Sequence, residues 1–513
     1  MSKNLRVVLA LIVFIAGLAR FYALDRIPAA IYADEALNGT EGSYAISTGS
    51  PQLFYPENGG REGLFINLIG VSISLFGPNN FAMRFWSATF GTLAVLLIFA
   101  LGREWFSIRT GLIAAFLLAT SFWHLDFSRM AFRAMLVPTL LLGAFYGLAR
   151  SWNPAARRPW LWAASGGLCF GLGFHSYIAF RVVPVIAIAV LAFEYFRARR
   201  LPLRECAIWL GVTAVVALPM GIYFLNHPEE FTKRADQVSV FSTKSPWQMM
   251  ADNTIRTAGM FHYEGDCNLR HNMVTEEYCA TEVNRPAGLW LLIGAGCAIM
   301  ALWAGRKSPN FTAAGALLVW VPVMLLPGIL ANEGAPHALR TIGVLPAVLL
   351  LAAWGADRLM TRFPQTAAQA AIVGVTVLAG GLEVRNYFFE WANSPYMSEA
   401  FSYRAARVAN YSNSLPASVP RYVYANDASS KVPLYPSDPA RRLTINMQPI
   451  VFYTKGHIQP VYLTAQEFMT EPFTAGAEIL LPYMDQHIFD ILRDRGITTT
   501  AESDGEVTLI KVR

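Results

Sequence analysis

Asp34 and Glu35 stand side by side in the stretch Ile31-Tyr-Ala-Asp-Glu-Ala36, just past the first hydrophobic segment of the chain. Two neighbouring acids at a lipid boundary are costly unless they are solvated, paired or bound to a cation. Groups of this kind hold cations or take protons from hydroxyls, so the pair suggests chemistry at a membrane face. Further polar side chains recur in the short stretches between later apolar runs: Arg61 and Glu62, Arg129, His175, Tyr177 and Arg181, Asp266, Arg270 and His271, His337 and Arg340. A set of arginines gathered in this way suits an anionic ligand or mutual pairing with the acids.

The elements that must position these residues are membrane spans. Of 513 residues, 54% are hydrophobic and only 15% charged, where a soluble chain carries about 25% charged residues. The net charge of +6 does not point to nucleic acid, because the basic residues sit in short clusters between apolar segments. Lys3 and Arg6 precede an apolar run over 7–18 with no Ala-x-Ala cleavage site after it, so this run reads as a retained first span. Apolar windows at 85–101, 111–125, 134–149, 160–180, 182–196, 207–225, 288–303, 311–330, 342–354 and 367–382 bring the expectation to about eleven spans.

Orientation follows from the basic residues. With the N-terminus in the cytoplasm of a cell bounded by its plasma membrane, the alternate loops carry Arg103 and Arg109; Arg150, Arg157 and Arg158; Arg197, Arg199, Arg200 and Arg204; Arg306 and Lys307; Arg358 and Arg362. Every cytoplasmic loop is then basic. The scheme requires that 63–77 does not span but forms an interfacial helix in the first outer loop, over 25–80. Asp34, Glu35, Arg61, Glu62, Arg129, His175, Tyr177, Arg181, Asp266, Arg270, His271, His337 and Arg340 then all fall on the outer face.

Two larger outer segments remain. The loop over 226–286 carries Cys267 and Cys279, and a disulfide between them is expected on an oxidising face. Beyond a membrane part over 1–390, residues 391–513 lose the long apolar runs and read as a small extracytoplasmic α/β domain. Strand-like segments occur at 421–424, 450–453, 460–463, 479–482 and 507–512, with a helical pattern at 486–495.

The Asp-Glu pair, Asn58-Gly-Gly-Arg-Glu-Gly-Leu-Phe65, Arg84-Phe-Trp-Ser-Ala88, Phe127-Ser-Arg129, His175-Ser-Tyr177, Gly265-Asp-Cys-Asn-Leu-Arg-His-Asn272 and Pro336-His-Ala-Leu-Arg340 resemble the GT-C superfamily of membrane glycosyltransferases. The likeness is to its protein O-mannosyltransferase and aminoarabinose transferase branch. It implies a polytopic helical enzyme that takes a monosaccharide from a polyprenyl-phosphate donor and transfers it, with inversion, to a protein, lipid or glycan hydroxyl on the outer face. Within that reading Asp34 is the candidate base, and Arg61 is the first candidate for the donor phosphate. Arg129, Arg181, Arg270 and Arg340 follow. Relatives often carry Lys in a Lys-Pro context where this chain has Arg61-Glu62-Gly63. Glu35 has three candidate duties: holding the acceptor, binding a divalent cation with His337 or His175, or orienting an arginine. No metal-ligand spacing stands out, so a metal is optional. Glu62, His175, Tyr177, Asp266 and His271 complete the candidate site. Asp34 has a second reading as the cap of a helix over 36–48. Competing classes are a flippase or transporter for a lipid-linked sugar, which should show internal repeats, and a polysaccharide polymerase or ligase. An oligosaccharyltransferase is disfavoured by the missing Trp-Trp-Asp signature.

Overall fold

The structure, a computed structural model, describes residues 2–425, 427–503 and 507–513. Its contacts form two compact units: Met1–Tyr22, Leu53–Phe65 and Trp86–Asn393 in the first, Ala23–Gln52, Ile66–Phe85 and Ser394–Arg513 in the second. Residues 23–52 and 66–85 therefore group with the C-terminal segment, an association no sequence pattern announced.

Along the chain, α1 (Lys3–Phe21) and α2 (Ala33–Ser47) precede a short ribbon of β1 (Phe54–Tyr55) and β2 (Arg61–Glu62). There follow α3 (Gly63–Phe76), α4 (Asn80–Trp105), α5 (Ile108–Thr120), α6 (Phe122–Phe127), α7 (Leu136–Trp152) and α8 (Pro159–Gly173). Next come α9 (Val183–Ala198), α10 (Leu203–Asn226), α11 (Pro228–Val238), α12 (Pro246–Gly259), α13 (Arg285–Trp303) and α14 (Phe311–Ile329). A single turn, α15 (Ala338–Thr341), leads to α16 (Leu345–Arg362) and α17 (Thr366–Arg385).

Nine of the eleven apolar windows fall in helices that are, among the described residues, long and apolar enough to cross a membrane. The other two windows form α5 and α8, of 13 and 15 residues. α5 stops because Ser121 leaves helical geometry and its hydroxyl caps the next helix, accepting from the His124 N–H at 3.4 Å. The stretch expected at the interface is α3, a 14-residue apolar helix.

In the first unit, polar contacts join basic loops at one end of the bundle. Arg109 lies 3.5 Å from Asp357, which also accepts from Ser107 and Thr110 at 2.7 Å, so the α4–α5 turn meets the end of α16. Arg150 reaches Glu104 at 3.4 Å. Glu194 holds Arg197 at 2.5 Å and Thr312 at 2.8 Å, joining the ends of α9 and α14. Positive-inside sorting requires these same loops to share one side.

The second unit continues through α18 (Met397–Ala400), α19 (Tyr403–Ser414), β3 (Arg421–Tyr424), β4 (Lys431–Tyr435), β5 (Asp438–Thr444) and α20 (Gln448–Tyr453). It ends with β6 (Val461–Leu463), α21 (Ala465–Thr470), β7 (Glu478–Leu481), α22 (His487–Asp494), β8 (Thr499–Ser503) and β9 (Thr508–Val512). The sheet runs β6-β3-β7-β9-β8, parallel where β3 meets β6 and β7 and antiparallel from β7 through β9 to β8. Strand alternation sends Val423 and Leu480 to a core shared with α19 and α20. It sends Tyr422, Tyr424, Ile479 and Leu481 to a core shared with α21 and α22.

One expectation fails here. Residues 450–453 are the body of α20 and not a strand. Pro449 opens that helix, and Ile450, Val451 and Phe452 are all buried, so the run lacks the polar face that periodicity would need. β4, β5 and β8 carried no legible signal; β8 is half exposed, and its residues Thr499-Thr-Ala-Glu-Ser503 include one aliphatic side chain.

In this second unit α2 crosses α3 at two glycines. A Cβ on Gly42 would lie 2.2 Å from the Ile66 carbonyl oxygen, and one on Gly70 would lie 2.1 Å from that of Gly42, so only hydrogen fits at the crossing.

Candidate functional site

In the first unit, the β1–β2 turn sets the first cluster. Asn58, Gly59 and Gly60 all have positive φ, which returns the chain so that Arg61 pairs with Tyr55 and Glu62 with Phe54. Arg61 is buried and its Nε donates to the Glu57 carbonyl at 3.1 Å. Glu62, also buried, receives Arg133 at 2.5 Å and has Arg181 at 3.8 Å. The Arg133 guanidinium lies over the Tyr177 ring at 5.7 Å. Two guanidiniums converge on this one carboxylate in a poorly solvated place, and such a gathering of guanidiniums suits an anion.

Arg181 also lines a groove of about 720 Å³ whose other walls are apolar, among them Phe174, Met220, Phe224, Leu225 and Phe231. Its guanidinium stacks on Phe231 at 4.3 Å and on Phe224 at 5.0 Å, and donates to the Phe231 carbonyl at 2.6 Å. The result is a long apolar surface with a cation built into its wall.

A second cluster in this unit gathers Asp266, His271 and His337, whose ligand-capable atoms lie within 4.8 Å of one another. Asp266 Oδ2 accepts from His271 Nδ1 at 2.8 Å and from the Ala338 N–H at 2.8 Å, and lies 4.0 Å from His337 Nδ1. Burial alone would raise the Asp266 carboxyl. The His271 hydrogen bond and the Ala338 N–H outweigh it and hold the group below the usual carboxylate range. His337 is driven down to about 3, first by burial and then by His271. The same loop is closed by the Cys267–Cys279 disulfide, as expected from the sequence. Glu282 supports it from below: its Oε1 accepts from the Asp266 N–H at 2.8 Å and from Asn272 at 3.3 Å. Burial and then the Asp266 charge push the Glu282 carboxyl well above its ordinary value. One carboxylate and two imidazoles form a donor set that fits a divalent cation.

The remaining sequence candidates of this unit have other employments. Arg129 is fully buried; its Nη1 donates to the carbonyls of Ala19 and Arg20 at 2.8 and 3.0 Å, tying down the end of α1, and its guanidinium lies 5.0 Å over Phe388. His175 Nε2 donates to the Val216 carbonyl at 2.8 Å and fastens α10. Arg340 is buried and pairs with Glu333. Arg270 is half-buried in the turn after Cys267, its N–H donating to Asn268 Oδ1 at 3.0 Å. Arg133 and Glu282 were not singled out as site residues; their signal was an arginine and an acid at loop ends, too common to select.

In the second unit, Asp34 and Glu35 occupy the first turn of α2. The helix begins at Ala33, so Asp34 lies inside it and does not cap a helix over 36–48. The capping belongs to Glu35, which is fully buried and accepts the Tyr32 N–H at 3.1 Å. Asp34, half-buried, occupies the next position toward the N-terminus, where the helix dipole favours a carboxylate. Glu35 and His337, paired in the sequence reading as cation ligands, belong to different units.

A family model described as dolichyl-phosphate-mannose-protein mannosyltransferase matches residues 64–223. No curated protein sequence matches the chain. Among solved structures, ArnT from Cupriavidus metallidurans bound to undecaprenyl phosphate aligns over 100% of this chain and 98% of its own, at 13% identity and a TM-score of 0.59. The apo state of the same protein aligns over 98% of this chain and 97% of its own, at 13% identity and TM-score 0.58. The archaeal oligosaccharyltransferase AglB from Archaeoglobus fulgidus, in complex with an inhibitory peptide and a dolichol-phosphate, is similar over 82% of this chain and 62% of its own, at 14% identity and TM-score 0.50. With nine candidate spans among the described residues and a small C-terminal sheet, the chain has a GT-C-type fold similar to that of ArnT.

Proposed function

We propose that this protein is a membrane glycosyltransferase that moves a monosaccharide from a polyprenyl-phosphate donor to an acceptor hydroxyl, with inversion, on the outer face of the plasma membrane. The observation that carries this reading is Arg181, a cation ion-paired to Glu62 and standing in the wall of a groove otherwise lined by Phe174, Met220, Phe224 and Phe231. An isoprenoid phosphate has that same division, a long apolar chain ending in one anion. ArnT, the fold relative, was solved with undecaprenyl phosphate.

Arg181 and Arg61 are the proposed phosphate ligands, with Arg133 adding positive charge; Arg270 and Arg340 are further candidates. Charge grows on the phosphate as the sugar leaves, and fixed guanidiniums stabilise it in a site with little water. Asp34 is the proposed base for the acceptor hydroxyl. Glu35 serves it by fixing the first turn of α2. Asp266, His271 and His337 would hold a divalent cation if one is used. The basic loops that meet at one end of the bundle support a cytoplasmic N-terminus.

The test is transfer by purified protein from a panel of polyprenyl-phosphate monosaccharides. Asp34→Asn should abolish turnover while the donor still binds, and Arg181→Ala should raise the donor KM. Normal turnover by Asp34→Asn and an unchanged KM in Arg181→Ala would overturn the assignment.

A further inference from the structure

The segment leading into Asp34 is held by a residue more than four hundred positions away. In the second unit the Tyr453 hydroxyl, at the end of α20, accepts the Ile31 N–H at 3.0 Å and donates to Asn80 Oδ1 at 2.6 Å. Asn80 Nδ2 in turn donates to the carbonyls of Asp25 and Ala29 at 2.8 and 3.2 Å. Arg84, fully buried, donates to the carbonyls of Leu24, Pro28 and Ala30 at 3.1, 2.7 and 2.7 Å. Residues 24–31 thus form a loop whose backbone groups are bound by three side chains.

The helix that follows is gripped by the same C-terminal segment. Leu37 and Ala33 pack with Val432 and Ile445. A Cβ on Gly39 would lie 2.8 Å from the Phe452 ring, so α2 and α20 touch without a gap. Lys455 Nζ donates to Ser43 Oγ. Burial pushes the Tyr453 hydroxyl up to about 12, which keeps it a donor at any physiological pH.

We infer that Tyr453 is a positioning residue for Asp34, and that residues 394–513 are a working part of the transfer site by way of the Tyr453–Ile31 and α20–α2 contacts. This inference rests on the reading of Asp34 as the base. Proton transfer in the transition state demands a fixed carboxylate, and a misplacement of about 1 Å costs on the order of a hundredfold in rate. The Tyr453 hydroxyl fixes the backbone three residues before that carboxylate.

The test uses full-length Tyr453→Phe, which keeps the ring and removes only the oxygen. Expected are a fall in kcat of at least about tenfold, a donor KM within about twofold of the parent, a near-parental melting temperature, and faster amide exchange in the peptide over 27–36 alone. Unchanged turnover, or slower turnover with exchange accelerated across the whole chain, would overturn it. Asp34→Asn is measured in parallel. If that variant turns over normally, the base assignment fails; local exchange in Tyr453→Phe then reports separately that the hydroxyl holds the loop.

Discussion

Asp266 accepts a 2.8 Å hydrogen bond from His271 Nδ1 while His337 Nδ1 lies 4.0 Å from the same carboxylate oxygen, so one buried acid organises two imidazoles at unequal distances. His337 falls from its ordinary 6.5 to about 3, so the folded protein resists a proton that the unfolded chain takes up. Stability therefore drops as pH falls from about 6.5 toward about 3, and Asp266, held below the usual range, adds a further loss as it protonates at the acid end. The melting temperature should decline over this window. His337→Gln should flatten the decline between pH 6.5 and 4, and an unchanged slope would count against a neutral buried His337.

Glu282 has the opposite linkage. Its carboxyl is raised far above the ordinary value, so the folded state holds a proton that the unfolded chain releases above about pH 4.5, and stability falls as pH rises. Glu282→Gln keeps an acceptor for the Asp266 N–H and Asn272 and removes the titration. Thermal melts at pH 7.5 should show the variant more stable than the parent.

The Cys267–Cys279 bridge closes a loop with a sequence separation of 12, which the chain-entropy estimate values at about 3 kcal/mol. Cys267→Ser with Cys279→Ser should lower the melting temperature. Because Asp266 is the adjacent residue, the same variant should also loosen the His271 pairing, seen as a change in the His271 ring resonances by NMR.

Glu62 is shared by two neighbouring guanidiniums, Arg133 and Arg181. Glu62→Gln removes the carboxylate shared by both ion pairs and should cost about 3 kcal/mol in stability. Saturating polyprenyl phosphate should restore a large part of this by supplying the missing anion, read as a greater ligand-induced rise in melting temperature than the parent shows.

The chemistry-bearing residues could be read as a set, but their grouping could not. Asp34 and Glu35 were visible because two acids beside a span are unusual; which of them caps the helix depended on where α2 begins, a single-residue question that sequence pattern does not resolve. Arg129 and His175 looked like Arg181 in sequence. Arg181 meets a backbone carbonyl as they do, but it alone of the three also pairs with Glu62 and stands in the wall of an apolar groove.

The sequence by itself determined the membrane class, nine of the eleven expected spans, the cysteine pair and the greater part of the C-terminal strands. These depend on local hydropathy and on period-two or near-continuous apolar runs, which neighbouring residues impose. Tertiary structure alone decided that Glu62 bridges two arginines, that 450–453 is a helix, and that Tyr453 holds the loop before Asp34. Those outcomes rest on hydrogen bonds and burial between residues far apart in the chain, and a hydroxyl or a carboxylate carries no mark of its distant partner.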